Sequence, residues 1–190
     1  METIFLSILG GLFIAFGALA SAGLPAPFNG IIFSTGLLTI LYTNTNLFTG
    51  SILQIVKGLS FKLIFRWIAI FLGNLIGCYL FAKLIQHCGY NLDSVINLAQ
   101  NKANLTSIQA FLRAIPCNFL VCLAVIHFRH LLAIERIVMV IFLISIFVIC
   151  GFEHSVANMF YYAFSNYHNL LPVTLGNIVG GCLVALSIKQ

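Results

Sequence analysis

The chain has 190 residues, 61% of them hydrophobic and 7% charged, with a net charge of +5 and a mean hydropathy of +1.09. A soluble domain carries charge on about a quarter of its residues, so this composition excludes a water-covered globule and defines an integral membrane protein. The Lys and Arg residues are scattered between long apolar runs rather than gathered in a stripe, which excludes a nucleic-acid surface.

Apolar stretches recur at roughly 3–21, 28–56, 64–86, 107–128, 132–165 and 169–188. Each reaches the ~20 residues that span a hydrocarbon core, and the second and fifth exceed it. They predict an all-α membrane protein with six transmembrane helices in one domain, 1–190. The first stretch has only Met1 and Glu2 before it, with no basic residue, and it matches the others in length. It reads as a retained helix rather than a signal peptide. The second is interrupted by Thr43-Asn44-Thr45-Asn46, residues that compete for backbone hydrogen bonds. The third carries Gly73-Asn74-Leu75-Ile76-Gly77. Residues 87–106, with Asp93, Lys102 and several Asn, read as the one long loop. The fourth stretch carries Asn118, and the fifth is interrupted by Gly151-Phe152-Glu153-His154-Ser155. The sixth carries Gly176-Asn177-Ile178-Val179-Gly180.

A broken segment followed by a Gly-Asn-x-x-Gly helix therefore occurs once in each half, about 1–90 and 105–190. Three crossings per half make the copies inverted, with helices 2 and 5 broken, and such repeats place the permeation site where the broken helices meet. Unwound backbone at membrane depth is tolerated only where protein or a water-filled cavity satisfies it.

Lys57, Lys62, Arg66, Arg129, Arg136 and Lys189 fall on one side of these crossings, and Lys83, Lys102 and Arg113 near the other. The positive-inside rule then puts both termini in the cytoplasm, and the expected location is the cell (inner) membrane. No Cys-x-x-Cys, His-x-x-x-His or His-Glu-x-x-His spacing occurs, so neither a metal nor a disulfide framework is expected. No nucleophile–base pair or cofactor motif is visible, so no enzyme and no cofactor are expected.

The buried polar residues are the candidates for function. An ionisable group at bilayer depth costs at least ~2.5–3.5 kcal/mol on insertion scales and is functional by default. His154 reads as a proton donor or a cation that meets an anion. Glu153 is expected to satisfy backbone or neighbouring donors at the break. Asn158 lies one turn beyond His154 on the same face. Asn74, Asn118 and Asn177 either satisfy the unwound backbone or line the path. Lys102 reads either as a solvated loop charge or as an attractor of anions into an outer vestibule.

Several runs resemble one family. Phe33-Ser34-Thr35-Gly36-Leu37, Leu47-Phe48-Thr49-Gly50, the stretch Gly151-Phe152-Glu153-His154-Ser155-Val156-Ala157-Asn158-Met159-Phe160, Pro172-Val173-Thr174-Leu175-Gly176-Asn177 and Cys117-Asn118-Phe119-Leu120-Val121-Cys122-Leu123-Ala124 are similar to motifs of the formate/nitrite transporter family. The resemblance covers nearly the whole chain. It implies an aquaporin-like six-helix protomer, assembled as a homopentamer in the lipid bilayer with one pore per protomer. It makes His154 the central pore histidine, Thr49 the threonine facing it and Lys102 the vestibule lysine. It assigns Phe33, Phe147 and Val121 to an outer constriction, and Leu37, Leu47 and Phe48 to an inner one. The partners it implies are small monovalent anions, with formate first and nitrite or hydrosulfide as alternatives, together with protons. Two positions depart from the family pattern: Asn46 stands where Asp or Glu is usual, and Pro116 where a small residue is usual. The rival readings are a neutral-solute or water pore, against which stands the absence of paired Asn-Pro-Ala motifs, and a non-transporting membrane subunit.

Overall fold

The computed structural model describes residues 2–188, which form helices and connecting turns with no strand among them. Lys189, counted above on the basic side, lies outside the described residues. In chain order the helices are α1 (Glu2–Ser21), α2 (Phe28–Thr43), α3 (Phe48–Ser51), α4 (Phe61–His87), α5 (Asp93–Ala103), α6 (Ser107–His130), α7 (Ala133–Ile149), α8 (Ser155–Tyr161) and α9 (Leu170–Ile188). Tighter 3-10 stretches, Ile52–Lys57 and Tyr162–Phe164, continue α3 and α8.

α1, α4, α6 and α9 are each long and apolar enough to cross a membrane. The second apolar stretch instead comes as two pieces, α2 and Phe48–Lys57, bent by 53°. Asn44 ends α2 by taking a left-handed conformation, φ 53°, which its short polar side chain tolerates better than most. The fifth stretch comes as α7, of 17 residues, followed by residues 150–154 and then the seven-residue α8. At 1.5 Å per residue α7 alone spans about 25 Å, short of a hydrocarbon core of about 30 Å. Among the described residues four helices are thus long and apolar enough to cross, or five spans with the bent pair taken as one, against the six expected.

α1 packs along α4 and α6 along α9, while α2 lies between α1 and α7. The glycines read from the sequence explain the two closest pairs. A Cβ on Gly77 would fall on the Ile8 carbonyl of α1, and one on Gly180 would fall on the Ile115 carbonyl of α6. Only bare backbone permits that approach. Outward-facing Phe65, Leu80, Phe142, Leu171 and Leu186 are exposed, as a chain solvated by lipid requires.

Residues 87–106 are not a loop. α5 occupies most of them, buries Val95 and Ala99 one turn apart, and carries Lys102 in its last turn. Its polar average and shortness set it apart from the spanning stretches, while Val95, Ile96, Leu98 and Ala99 give it one apolar face. α6 then starts on a capping box, in which Thr106 Oγ1 accepts from the Gln109 N–H and Gln109 Oε1 accepts from the Thr106 N–H. α6 runs unbroken through Pro116.

Candidate functional site

The two breaks are built by the same hydrogen bonds. In the first, Asn74 on α4 accepts from the Phe48 N–H (2.9 Å) and donates to the carbonyls of Asn46 (2.9 Å) and Ser7 (2.6 Å). In the second, Asn177 on α9 accepts from the Ser155 N–H (2.8 Å) and donates to the carbonyls of Glu153 (2.9 Å) and Ala114 (2.8 Å). The Asn46 N–H donates to Leu6, as the Glu153 N–H donates to Arg113, both at 3.2 Å. Each backbone partner in the second set lies 107 positions after its counterpart in the first. Leu47 and His154, the extended residues at φ −115° and −107°, are equivalent on the same offset. Each is held by one amide that grips the backbone on both sides of it. The sequence left open whether these Asn residues satisfy backbone or line a path; Asn74 and Asn177 have their amides on backbone. Asn118 likewise donates to the carbonyls of Thr49 (3.2 Å) and Asn177 (2.7 Å).

His154 and Thr49 meet at the centre. Thr49 Oγ1 lies 3.0 Å from His154 Nε2, and both residues are buried. His154 Nδ1 accepts the Ala157 N–H (3.1 Å), capping α8. A ring nitrogen that accepts carries no proton, so the neutral imidazole has its hydrogen on Nε2 and donates it to Thr49 Oγ1.

Aromatic rings close the space beside this pair. Phe33 and Phe147 meet edge to face with centroids 5.3 Å apart, and Phe147 stacks on the His154 ring at 5.8 Å. A cavity of about 130 Å³ rises from these three residues to Lys102 and Tyr161. A second cavity, of about 80 Å³, has Leu37, Leu47, Thr45, Asn46, Gln54 and Arg129 in its wall. Thr49 lies in neither. Val121 is buried in the same core as Phe33 and Leu37. Phe48 turns instead toward α4, edge to face with Phe71 at 5.2 Å, and lines an apolar groove between α4 and α9.

Glu153 is buried and fully engaged. Its Oε1 pairs with Lys102 Nζ at 2.9 Å and its Oε2 accepts from Asn158 Nδ2 at 2.6 Å. Asn158 also donates to the Tyr167 hydroxyl at 2.7 Å. Lys102 lies 5.7 Å from the Tyr161 ring centroid. The sequence missed Tyr161 and Tyr167. Tyr161 was findable, since it follows His154 by two helical turns; Tyr167 lies beyond the end of α8, where no period reaches.

Buried polar side chains at two helix breaks, a cavity at either end and an apolar outer surface define a helical membrane channel or transporter. A model of the formate/nitrite transporter family matches residues 1–189. A probable formate transporter of Methanothermobacter thermautotrophicus is 34% identical, over 96% of this chain and 85% of its own. The formate channel FocA of Haemophilus influenzae is 31% identical, over 86% and 74%. A solved pentameric formate channel with formate bound superposes with a TM-score of 0.85 at 25% identity, covering 98% of this chain and 94% of that one. The chain belongs to the formate/nitrite transporter family.

Proposed function

We propose that the protein is a transmembrane channel or transporter for small monovalent anions, formate first, with nitrite and hydrosulfide as alternative substrates. The observation that carries this reading is the buried Thr49–His154 pair at 3.0 Å, between the Phe33–Phe147 closure and the Leu37–Leu47 wall. The relatives named as formate channels support the choice of anion.

In this reading α2 with α3, and α7 with α8, are the two broken crossings of a six-helix, aquaporin-like inverted repeat folded as one domain over 1–190. The repeated amide clamps support it. Both termini are cytoplasmic, the membrane is the inner one, and five copies assemble as in the pentameric neighbour.

A bare anion in a dry apolar constriction costs of order tens of kcal/mol. His154 offsets that cost by turning its Nε2–H from Thr49 to the anion. Complete proton transfer requires the imidazolium, hence a proton on Nδ1, where the Ala157 N–H now donates. Opening the first turn of α8 is part of that step, after which the neutral acid passes and water in the outer cavity returns the proton. Lys102 draws anions to that cavity, with Glu153 and Asn158 fixing its position.

Formate uptake into liposomes by wild type, His154→Ala and His154→Phe between about pH 5 and 8 tests the proposal. Both variants should lose the pH dependence and discriminate less among formate, nitrite and chloride. Wild-type behaviour in both respects would remove the histidine from the mechanism.

A further inference from the structure

The repeat offset exposes a difference in charge between the two mouths. Position 153 of the outer break is Glu, and its carboxylate pairs with the cavity's cation, Lys102, and offsets part of its charge. The equivalent position of the inner break is Asn46, which carries no charge; its amide donates to the Thr3 carbonyl at 3.3 Å. Asn46 lines the inner cavity together with one cation, Arg129. Lys102–Glu153 is the one ion pair among the described residues, so Arg129 faces this cavity with its charge uncompensated.

Two further features suit an anion there. Gln54 lines the same cavity with its side-chain amide free of protein hydrogen bonds among the described residues, so its N–H groups are available. The floor is Leu37 and Leu47, so an anion held at this level waits against the constriction it must cross. Arg129 also stands in the last turn of α6, where carbonyl ends give the helix terminus a partial negative charge. Without the guanidinium, the field at this mouth would repel an anion.

We propose that the inner cavity is a recruitment site for small monovalent anions, with Arg129 as its charge and Gln54 and Asn46 as its neutral donors. It lowers the anion concentration at which flux from the Arg129 face is half-maximal, relative to flux from the Lys102 face. This rests on the anion-channel reading above.

The test is the formate concentration that gives half-maximal initial flux, with formate on one side only. It is measured in right-side-out and inside-out vesicles from cells expressing the protein, at about 10 mM and about 1 M salt, where the screening lengths are about 30 and 3 Å. Arg129→Gln should lower the apparent affinity from the Arg129 face relative to the other face by about three- to tenfold at low salt, at or below the lower end of what charged clefts achieve. Arg129→Lys should restore most of it. The difference should vanish at high salt. Asn46→Asp, which places a carboxylate where Glu153 stands in the other half, should mimic Arg129→Gln, while Lys62→Gln, on the same face but outside the cavity, should leave the ratio at the wild-type value. An unchanged ratio in Arg129→Gln, or a loss equal from both faces and at both salts in protein of wild-type melting temperature, would overturn the proposal and leave the anion-channel reading standing. Absence of formate flux in the wild type would overturn both.

Discussion

His154 shows how a neighbour three residues along the chain decides what a residue can do. Because the Ala157 N–H occupies Nδ1, only Nε2–H is available to a substrate, and the ring is oriented before any substrate arrives. The same holds for Glu153, which the sequence identified as a buried carboxylate without identifying its partner. Lys102 is 51 residues away on a helix that reads as loop, so no local pattern could pair them. Since Glu153 is buried, Lys102→Met leaves a carboxylate without its cation, which costs about 3–5 kcal/mol. The double variant Lys102→Met/Glu153→Gln should recover most of that loss. Denaturant unfolding of the four proteins in detergent measures the coupling, and additive losses would show that the pair contributes nothing. His154 stood out in the sequence as an ionisable residue at bilayer depth, whereas the roles expected of Thr49 and the constriction residues came only from motif resemblance, because such roles depend on which face of a broken helix a residue occupies.

At the scale of elements, the Gly-Asn-x-x-Gly helices perform two jobs with one turn. The glycines let α4 touch α1 and α9 touch α6, and that contact carries Asn74 and Asn177 to the breaks. Gly77→Ala or Gly180→Ala puts a methyl group against a backbone carbonyl that cannot turn aside, so each should cost about 1–3 kcal/mol. The melting temperature of purified protein reports it. Asn177→Ala should cost more than either, because it strands the Ser155 N–H and relaxes two carbonyls in a buried site, at about 1–3 kcal/mol per unsatisfied group. Where enough protein folds, its flux should lose pH dependence, since His154 is no longer held from both sides. Asn74→Ala should cost a similar amount with the pH dependence intact, because it holds Leu47 instead. These repeats were legible because the same five-residue pattern occurs twice. α5 was not, because it is short and polar on average beside the spanning stretches, although Val95, Ile96, Leu98 and Ala99 recur at helical spacing.

For the molecule as a whole, the distribution of charge is the property that sequence and structure express in the same terms. α4 has 27 residues and is therefore about 40 Å long, enough to place its two ends in different aqueous compartments. Lys62 is exposed at its start and Cys88 is exposed just past its end. Arg129 opens onto the inner cavity and Lys102 onto the outer one, so orientation decides which mouth carries the uncompensated cation. With the Lys57, Lys62 and Arg66 cluster in the cytoplasm, a membrane-impermeant maleimide added to intact cells should modify Cys88. In a background with Cys88 and Cys150 changed to Ser, Lys62→Cys should react only after the membrane is opened. The reverse pattern would invert the protein, and Lys102 would then stand at the cytoplasmic mouth with its charge already partly offset by Glu153. Because basic loops are retained on the cytoplasmic side during insertion, and the Lys62 end of α4 carries three basic residues within ten positions against one at the Cys88 end, labelling from outside at Cys88 is the expected result.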